Sequence, residues 1–320
     1  MENGKRICLM VAVCSALHLL VDGLCICSLY LMASSFPTTR LVGTFLVYNV
    51  LAFLTQPLTG TWADRMKQRH WMLLAAIILL TTAVLATAVF VSFGLSTAGV
   101  SLVAVLLGAG NSLFHVWGGK QVAVNTGNDM RAVGAFVSTG VMGLSVGFLF
   151  FSWTMLYVCL LAICLLAVTY LHCEAVGDNS RAEKVKTTFS PAVVWLSVLA
   201  LMAIVMLRSF VGEGFSSGVA KSSTIVMAVG ATSMLGKMAG GWIARCYGII
   251  KTLAGLAVVI AACLLVRDAG MAVLLIGLFA VNCTMPVTLY LANVVLPDRE
   301  GLAFGLLAAA LIPGYLLAYM

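Results

Sequence analysis

The sequence predicts an all-α polytopic membrane protein made of two related helix bundles, and three observations predict it. Sixty-two per cent of the 320 residues are hydrophobic, 9% are charged, and the mean hydropathy is +1.10. A soluble domain carries roughly 25% charged residues, so no water-facing surface can be assembled from this chain. The apolar residues fall in long continuous runs rather than in the alternation of outer-membrane strands, which selects helices. Finally, two short motifs recur far along the chain.

A hydrocarbon core about 30 Å thick needs roughly 20 apolar residues per helix. On that measure the spans are 7–32, 41–60, 71–93, 98–119, 133–152, 153–171, 192–212, 222–241, 248–266, 270–293 and 301–320. The basic Met1–Arg6 ahead of span one imitates a signal peptide. No Ala-x-Ala site follows and the apolar run continues past residue 25, so it reads as a retained first helix. From a cytoplasmic N-terminus, the cytoplasmic side receives Lys5, Arg6, Arg65, Lys67, Arg69, Lys120, Arg131, Arg181, Lys184, Lys186, Lys237, Arg245, Lys251 and Arg299. The opposite side receives only Arg40, Lys221 and Arg267. That asymmetry obeys the positive-inside rule and fixes a multi-pass orientation, expected in a plasma (bacterial inner) membrane. The net charge of +7 is thereby topology, not a nucleic-acid patch. The expected partners are the lipid bilayer and a small-molecule substrate, with no nucleic acid, and the chain is expected to work as a monomer. The ten cysteines are scattered, most of them inside spans, and read as small apolar packing residues.

Gly60-Thr-Trp-Ala-Asp-Arg-Met-Lys-Gln-Arg69 follows span two, and Gly241-Trp-Ile-Ala-Arg-Cys-Tyr-Gly248 follows span eight, 181 positions later. Arg131-Ala-Val-Gly-Ala-Phe136 opens span five, and Arg299-Glu-Gly-Leu-Ala-Phe304 opens span eleven, 168 positions later. An even number of helices between copies means a parallel repeat about an axis along the membrane normal. The chain divides into a six-helix bundle over 1–171, a polar cytoplasmic linker over 172–190, and a second bundle over 191–320 with five helices. The repeat asks for a twelfth helix, the partner of 153–171, and leaves open a shortened reading frame or an eleven-span protein.

The first motif resembles the Gly-x-x-x-Asp-Arg-x-Gly-Arg-Arg loop of the major facilitator superfamily, and Gly236-Lys-Met-Ala-Gly-Gly-Trp-Ile-Ala-Arg-Cys-Tyr-Gly248 resembles its echo. His18-Leu-Leu-Val-Asp-Gly23, Asn111-Ser-Leu-Phe-His-Val-Trp-Gly-Gly-Lys120, Leu207-Arg-Ser-Phe-Val-Gly212 and the run 285–305 are similar to the fosmidomycin-resistance branch, a group of drug or metabolite exporters. The resemblance covers most of the chain and implies two pseudo-symmetric bundles around a central cavity. Three departures stand out. Arg245 occupies the place of the echo aspartate, Phe114–Trp117 lacks the branch's proline and acid after the histidine, and span five lacks the proline common in antiporters of the superfamily.

Ionisable residues inside a membrane are costly, about 2.5–3.5 kcal/mol each on the lenient insertion scale, so each is a functional candidate. Asp22 in span one is a proton-coupling candidate, with His18 on the same helix face four residues earlier. The bland reading is a packing hydrogen bond. Arg208 in span seven, the repeat partner of span one, is a candidate to pair with Asp22 or to hold an anionic substrate, against snorkelling to the headgroups. Asn111 and His115 share one face of span four, and Asn282 of span ten holds roughly the repeat-related place; these are expected to line the substrate cavity. Gly60, Asp64, Arg65, Arg69, Gly241 and Arg245 are read as a conformational latch, with Asp64 opening span three at its positive end. Gly143-Leu-Ser-Val-Gly147 matches the hydrolase pattern Gly-x-Ser-x-Gly but lies within a span, without the strand-to-helix turn that chemistry needs. No catalytic residue, metal site or cofactor is expected. The reading is a non-enzyme, a secondary transporter exporting a small organic solute or drug in exchange for protons, with the gradient as energy source. Uptake of an organic anion and a truncated, non-transporting paralogue are the alternatives.

Overall fold

A computed structural model of the chain describes residues 2–35, 38–66, 70–93, 97–175, 189–217 and 222–320. Its helices are α1 (Glu2–Ser35), α2 (Thr38–Asn49), α3 (Gln56–Arg65), α4 (His70–Phe93), α5 (Thr97–Asn125), α6 (Met130–Leu149) and α7 (Trp153–Ala175) in the first half. The second half holds α8 (Pro191–Ser217), α9 (Ser223–Tyr247), α10 (Ile249–Leu265), α11 (Met271–Val295), α12 (Glu300–Ala309) and α13 (Leu311–Leu317). A π-helical turn, Val50–Leu54, joins α2 to α3, and α12 runs into α13 at Ala310. Taken as joined pairs, these helices follow the eleven apolar runs in order, and among the described residues eight stretches are by themselves long and apolar enough to cross a membrane.

Both interruptions trace to proline, which has no N–H and whose ring clashes with the carbonyl four residues back. Pro57 lies at the start of α3, just after the wide turn. There Thr55 Oγ1 donates to the Leu51 carbonyl at 2.6 Å and Gln56 Nε2 to the Ala52 carbonyl at 2.7 Å, so side chains bond to carbonyls of the irregular turn. Pro313 acts on the Ala309 carbonyl, where α12 gives way to α13.

The helices run further than the apolar spans. α9 continues through the 241–247 echo, and only Gly248, at φ +84°, turns the chain. Gly60–Arg65 is likewise the body of α3 and not a loop. These glycines serve contact between helices, as small residues do in membranes, and Trp62 and Trp242 beside them are exposed. In the first half α1 packs along α6 and against α5 and α7; in the second, α11 packs against α8 and α9. Two seams join the halves, α3 on α12 and α6 on α9, whereas α1 and α8 touch at most slightly. Lys5, Arg6, Arg65, Arg131, Arg245, Lys251 and Arg299 lie at the helix ends on one side of the bundle, hereafter the basic end.

Candidate functional site

The two i, i+4 pairs seen in the sequence meet. α1 presents His18 and Asp22, α5 presents Asn111 and His115, and all four are buried where the helices pack. Asn111 Nδ2 donates to Asp22 Oδ1 at 3.0 Å. His18 Nε2 lies 3.4 Å from Asp22 Oδ2, and His115 Nε2 lies 3.4 Å from Asp22 Oδ1. The two imidazole Nε2 atoms are 2.8 Å apart.

The outer nitrogens decide what that short contact means. His18 Nδ1 is 2.7 Å from the Phe136 carbonyl and His115 Nδ1 is 2.9 Å from the Asn111 carbonyl. A carbonyl only accepts, so both Nδ1 atoms carry hydrogen. Two neutral rings of that tautomer would face each other with bare lone pairs at 2.8 Å; a proton shared between the Nε2 atoms would relieve this, with Asp22 beside it as counter-charge. α6 closes the site from behind, with the Phe136 ring stacked on His18 at 4.6 Å. Gly140 lies so close that a Cβ there would come 2.3 Å from His18 Nε2 and 2.4 Å from Asp22 Oδ2.

Arg208 forms no ion pair with Asp22 or with any other described residue, and its Nε is buried without a hydrogen-bond partner. Lys237, counted above among the cytoplasmic anchors, belongs elsewhere. It lies ten residues inside the end of α9, about 15 Å along the axis, half-buried and within electrostatic reach of Arg208, Asp22 and His115. The sequence hid it because Lys237 stands just ahead of the echo, which read as a loop, whereas α9 stays helical for another turn and a half. Asn282 Nδ2 bonds back to the Leu278 carbonyl at 2.8 Å within α11, and its Cβ packs on Gly236 of α9. The structure does not bring it to the histidine pair.

At the basic end Asp64 bridges the halves. Its Oδ1 and Oδ2 accept from the Gly301 and Leu302 N–H groups of α12 at 3.0 and 2.8 Å, and Lys120 Nζ lies 3.0 Å from Oδ1. The carboxylate thus sits on a positive helix end, but that of α12 in the other half, not that of α4. Gly60 makes this approach possible, since a Cβ on it would lie 2.2 Å from the Gly301 carbonyl. Lys120 also donates to the Ala63 carbonyl at 2.8 Å. Arg65 is exposed, and Arg69 lies outside the described residues. In the second seam Gly241 abuts the Met130 carbonyl, and Arg245 is exposed at the end of α9. The acid there is Asp129, which caps α6 through the Arg131 N–H at 2.9 Å, while Arg131 lies over the Trp242 ring at 5.0 Å. Nothing in the motif pointed to Asp129, because it comes from the α5–α6 turn.

Two bundles of antiparallel helices, related by a parallel repeat and joined along two seams, define a polytopic α-helical membrane protein. No family model matches the sequence, and no curated protein matches it. Solved structures do. The major facilitator superfamily transporter FucP of E. coli, in the outward conformation, matches with TM-score 0.75 at 12% identity, over 99% of this chain and 91% of that one. A bacterial homologue of the iron transporter ferroportin, outward-facing, matches at 0.65 and 13% identity, over 97% and 91%. The human organic anion transporter MFSD10 matches at 0.67 and 17% identity, over 97% and 92%. The chain has the major facilitator fold.

Proposed function

We propose that this protein is a secondary transporter that moves a small organic solute across the plasma membrane by alternating access, coupled to protons carried by His18, Asp22 and His115. One observation carries the reading: both Nδ1 atoms are committed to carbonyls while the Nε2 atoms meet at 2.8 Å. The cluster is then neutral with its proton and holds an uncompensated buried carboxylate without it. Such a site does not lose a proton in place. Release requires the rings to part or water to enter, which is what rocking of the two halves supplies.

The link to rocking runs through aromatic rings. Phe304 of α12 packs on Phe136 at 6.3 Å and against Gly119 of α5, and it is two residues from Leu302, which Asp64 holds. Parting the α3–α12 seam withdraws Phe304 from behind Phe136 and uncovers the histidines from that side. With the basic end in the cytoplasm, as the positive-inside asymmetry supports, the joined seam closes the cytoplasmic side. Gly60, Asp64 and Lys120 with Gly301 latch that state, and Gly241 and Arg131 with Asp129 hold the second seam. The proton gradient supplies the energy, no cofactor is needed, and one chain suffices.

Two modes of coupling fit this proton site. The likeness to the fosmidomycin-resistance branch supports exchange, with solute leaving as protons enter; Arg208 and Lys237 support cotransport of an anion. The test of proton coupling is Asp22→Asn in an efflux-deficient bacterium and in proteoliposomes. Resistance to any compound of an antibiotic panel including fosmidomycin should vanish in the variant, and gradient-driven transport should stop while solute exchange persists. Gradient-driven transport that survives the substitution refutes the proton role.

A further inference from the structure

We infer that Arg208 and Lys237 form an anion site, and that the substrate is a small organic anion which binds together with the coupling proton, making the transport a symport. The inference rests on the proton site proposed above and adds the substrate's charge and the sign of the coupling. Each of these two cations stands well inside a helix, Arg208 in α8 and Lys237 in α9, where an unpaired charge is expensive. Neither pairs with a carboxylate among the described residues, and Arg208 Nε is buried without any acceptor. Their helices, α8 and α9, both pack on α11, and the two cations lie within electrostatic reach of one another. Two unpaired like charges in a medium of low dielectric repel unless an anion joins them. The acid within reach of Lys237, Asp22, already serves His18, His115 and Asn111. A bound anion completes the charge balance, with the guanidinium as a fork and the ammonium as a point charge.

The mode of coupling follows from position. The titratable groups facing the proton cluster among the described residues are Cys25 of α1, Tyr48 of α2 and Lys237 of α9, while α6 presents the Phe136 carbonyl and ring and Gly140. Lys237 is therefore the charged link between the two sites. A proton on the histidine pair adds positive charge near Lys237 and strengthens anion binding; by reciprocity the anion strengthens proton binding. Ligands that favour each other travel together. Exchange requires that they exclude each other, as a cationic substrate and a proton would at Asp22.

The test uses the purified full chain in detergent, with thermal stability read against alkyl and aryl sulfonates, carboxylates and phosphonates of about three to ten carbons, near pH 5 and near pH 8, the range in which histidine titrates. A neutral hexose and a quaternary ammonium are the controls. Sulfonates keep a fixed charge over that range, so any pH effect on them belongs to the protein. At least one anion should stabilise the wild type, more strongly at the lower pH. Arg208→Gln and Lys237→Gln should weaken that anion by about tenfold to hundredfold, and Arg208→Lys and Lys237→Arg should recover part of the loss. Stabilisation by the controls alone, by no anion at all, equally in wild type and both Gln variants, or more strongly at the higher pH overturns the inference. Asp22→Asn separates it from the reading beneath. If the variant binds the anion without pH dependence, both stand; if it keeps the pH dependence, the proton cluster is misassigned while the anion site remains.

Discussion

Replacing Asp64 by asparagine should open the basic end of the molecule. In the joined state the carboxylate accepts the Gly301 and Leu302 N–H groups at 3.0 and 2.8 Å and pairs with Lys120 at 3.0 Å. The Asp64 and Lys120 side chains are only 9% and 10% exposed, so solvent screens the pair little. A hydrogen bond to a charged group contributes about 1.5–3 kcal/mol, and a charge at a helix N-terminus adds roughly 0.3–2 kcal/mol. Asparagine keeps one acceptor, turns an NH₂ towards the other N–H, and leaves Lys120 without a counter-charge, bonded still to the Ala63 carbonyl. The joined state then loses about 2–4 kcal/mol, a shift of roughly 30- to 1000-fold towards the parted state. Amide hydrogen exchange measures this directly, because the Gly301 and Leu302 amides are held by Asp64 across the seam. Their exchange should rise by a factor of that order, while amides in the middle of α4 keep their wild-type rates. Unchanged exchange at Gly301 and Leu302 would refute the latch.

Other consequences follow from the same geometry. Gly140→Ala places a methyl 2.3–2.4 Å from His18 Nε2 and Asp22 Oδ2, so it should part the histidine pair and abolish gradient-driven transport in proteoliposomes, with folding checked by gel filtration. Asp129 gives a pH dependence with a definite sign. The Arg131 guanidinium bonded to it holds its carboxyl below the usual carboxylate range. A depressed folded-state value contributes stability above the unfolded value and loses it as pH falls through the folded one. Exchange protection of the first turn of α6 should therefore hold constant from neutral pH down to about pH 4 and decline only in stronger acid. Asp129→Ala should remove that protection at every pH.

The sequence carried the spans because hydropathy over about 20 residues is a strong signal, and helical spacing placed His18 with Asp22 and Asn111 with His115 on shared faces. That the α1 pair meets the α5 pair is tertiary packing, which no spacing reports. Asp64 shows how the physics can be right and the partner wrong: a carboxylate seeks a helix N-terminus, and the nearest in sequence is α4, but the one it reaches lies about 240 residues away at Gly301 and Leu302. The 241–248 echo read as a loop because its glycines and arginine look like a turn, whereas in α9 they serve close contact with Met130 and the helix continues. The same misreading moved Lys237 to the membrane surface. Lys120 read as an anchor because only the structure brings Asp64 to it.

Whether His18 and His115 share one proton opposite Asp22 is directly measurable, because the chain has only four histidines. Nitrogen-15 NMR of histidine-labelled protein in detergent resolves which ring nitrogens carry hydrogen, with His18→Gln and His115→Gln providing assignments. A shared proton requires that both rings keep Nδ1 protonated throughout, that their signals titrate as one coupled pair in two steps, and that Asp22→Asn abolishes the coupling. Two rings titrating independently of each other and indifferent to Asp22→Asn would rule a shared proton out.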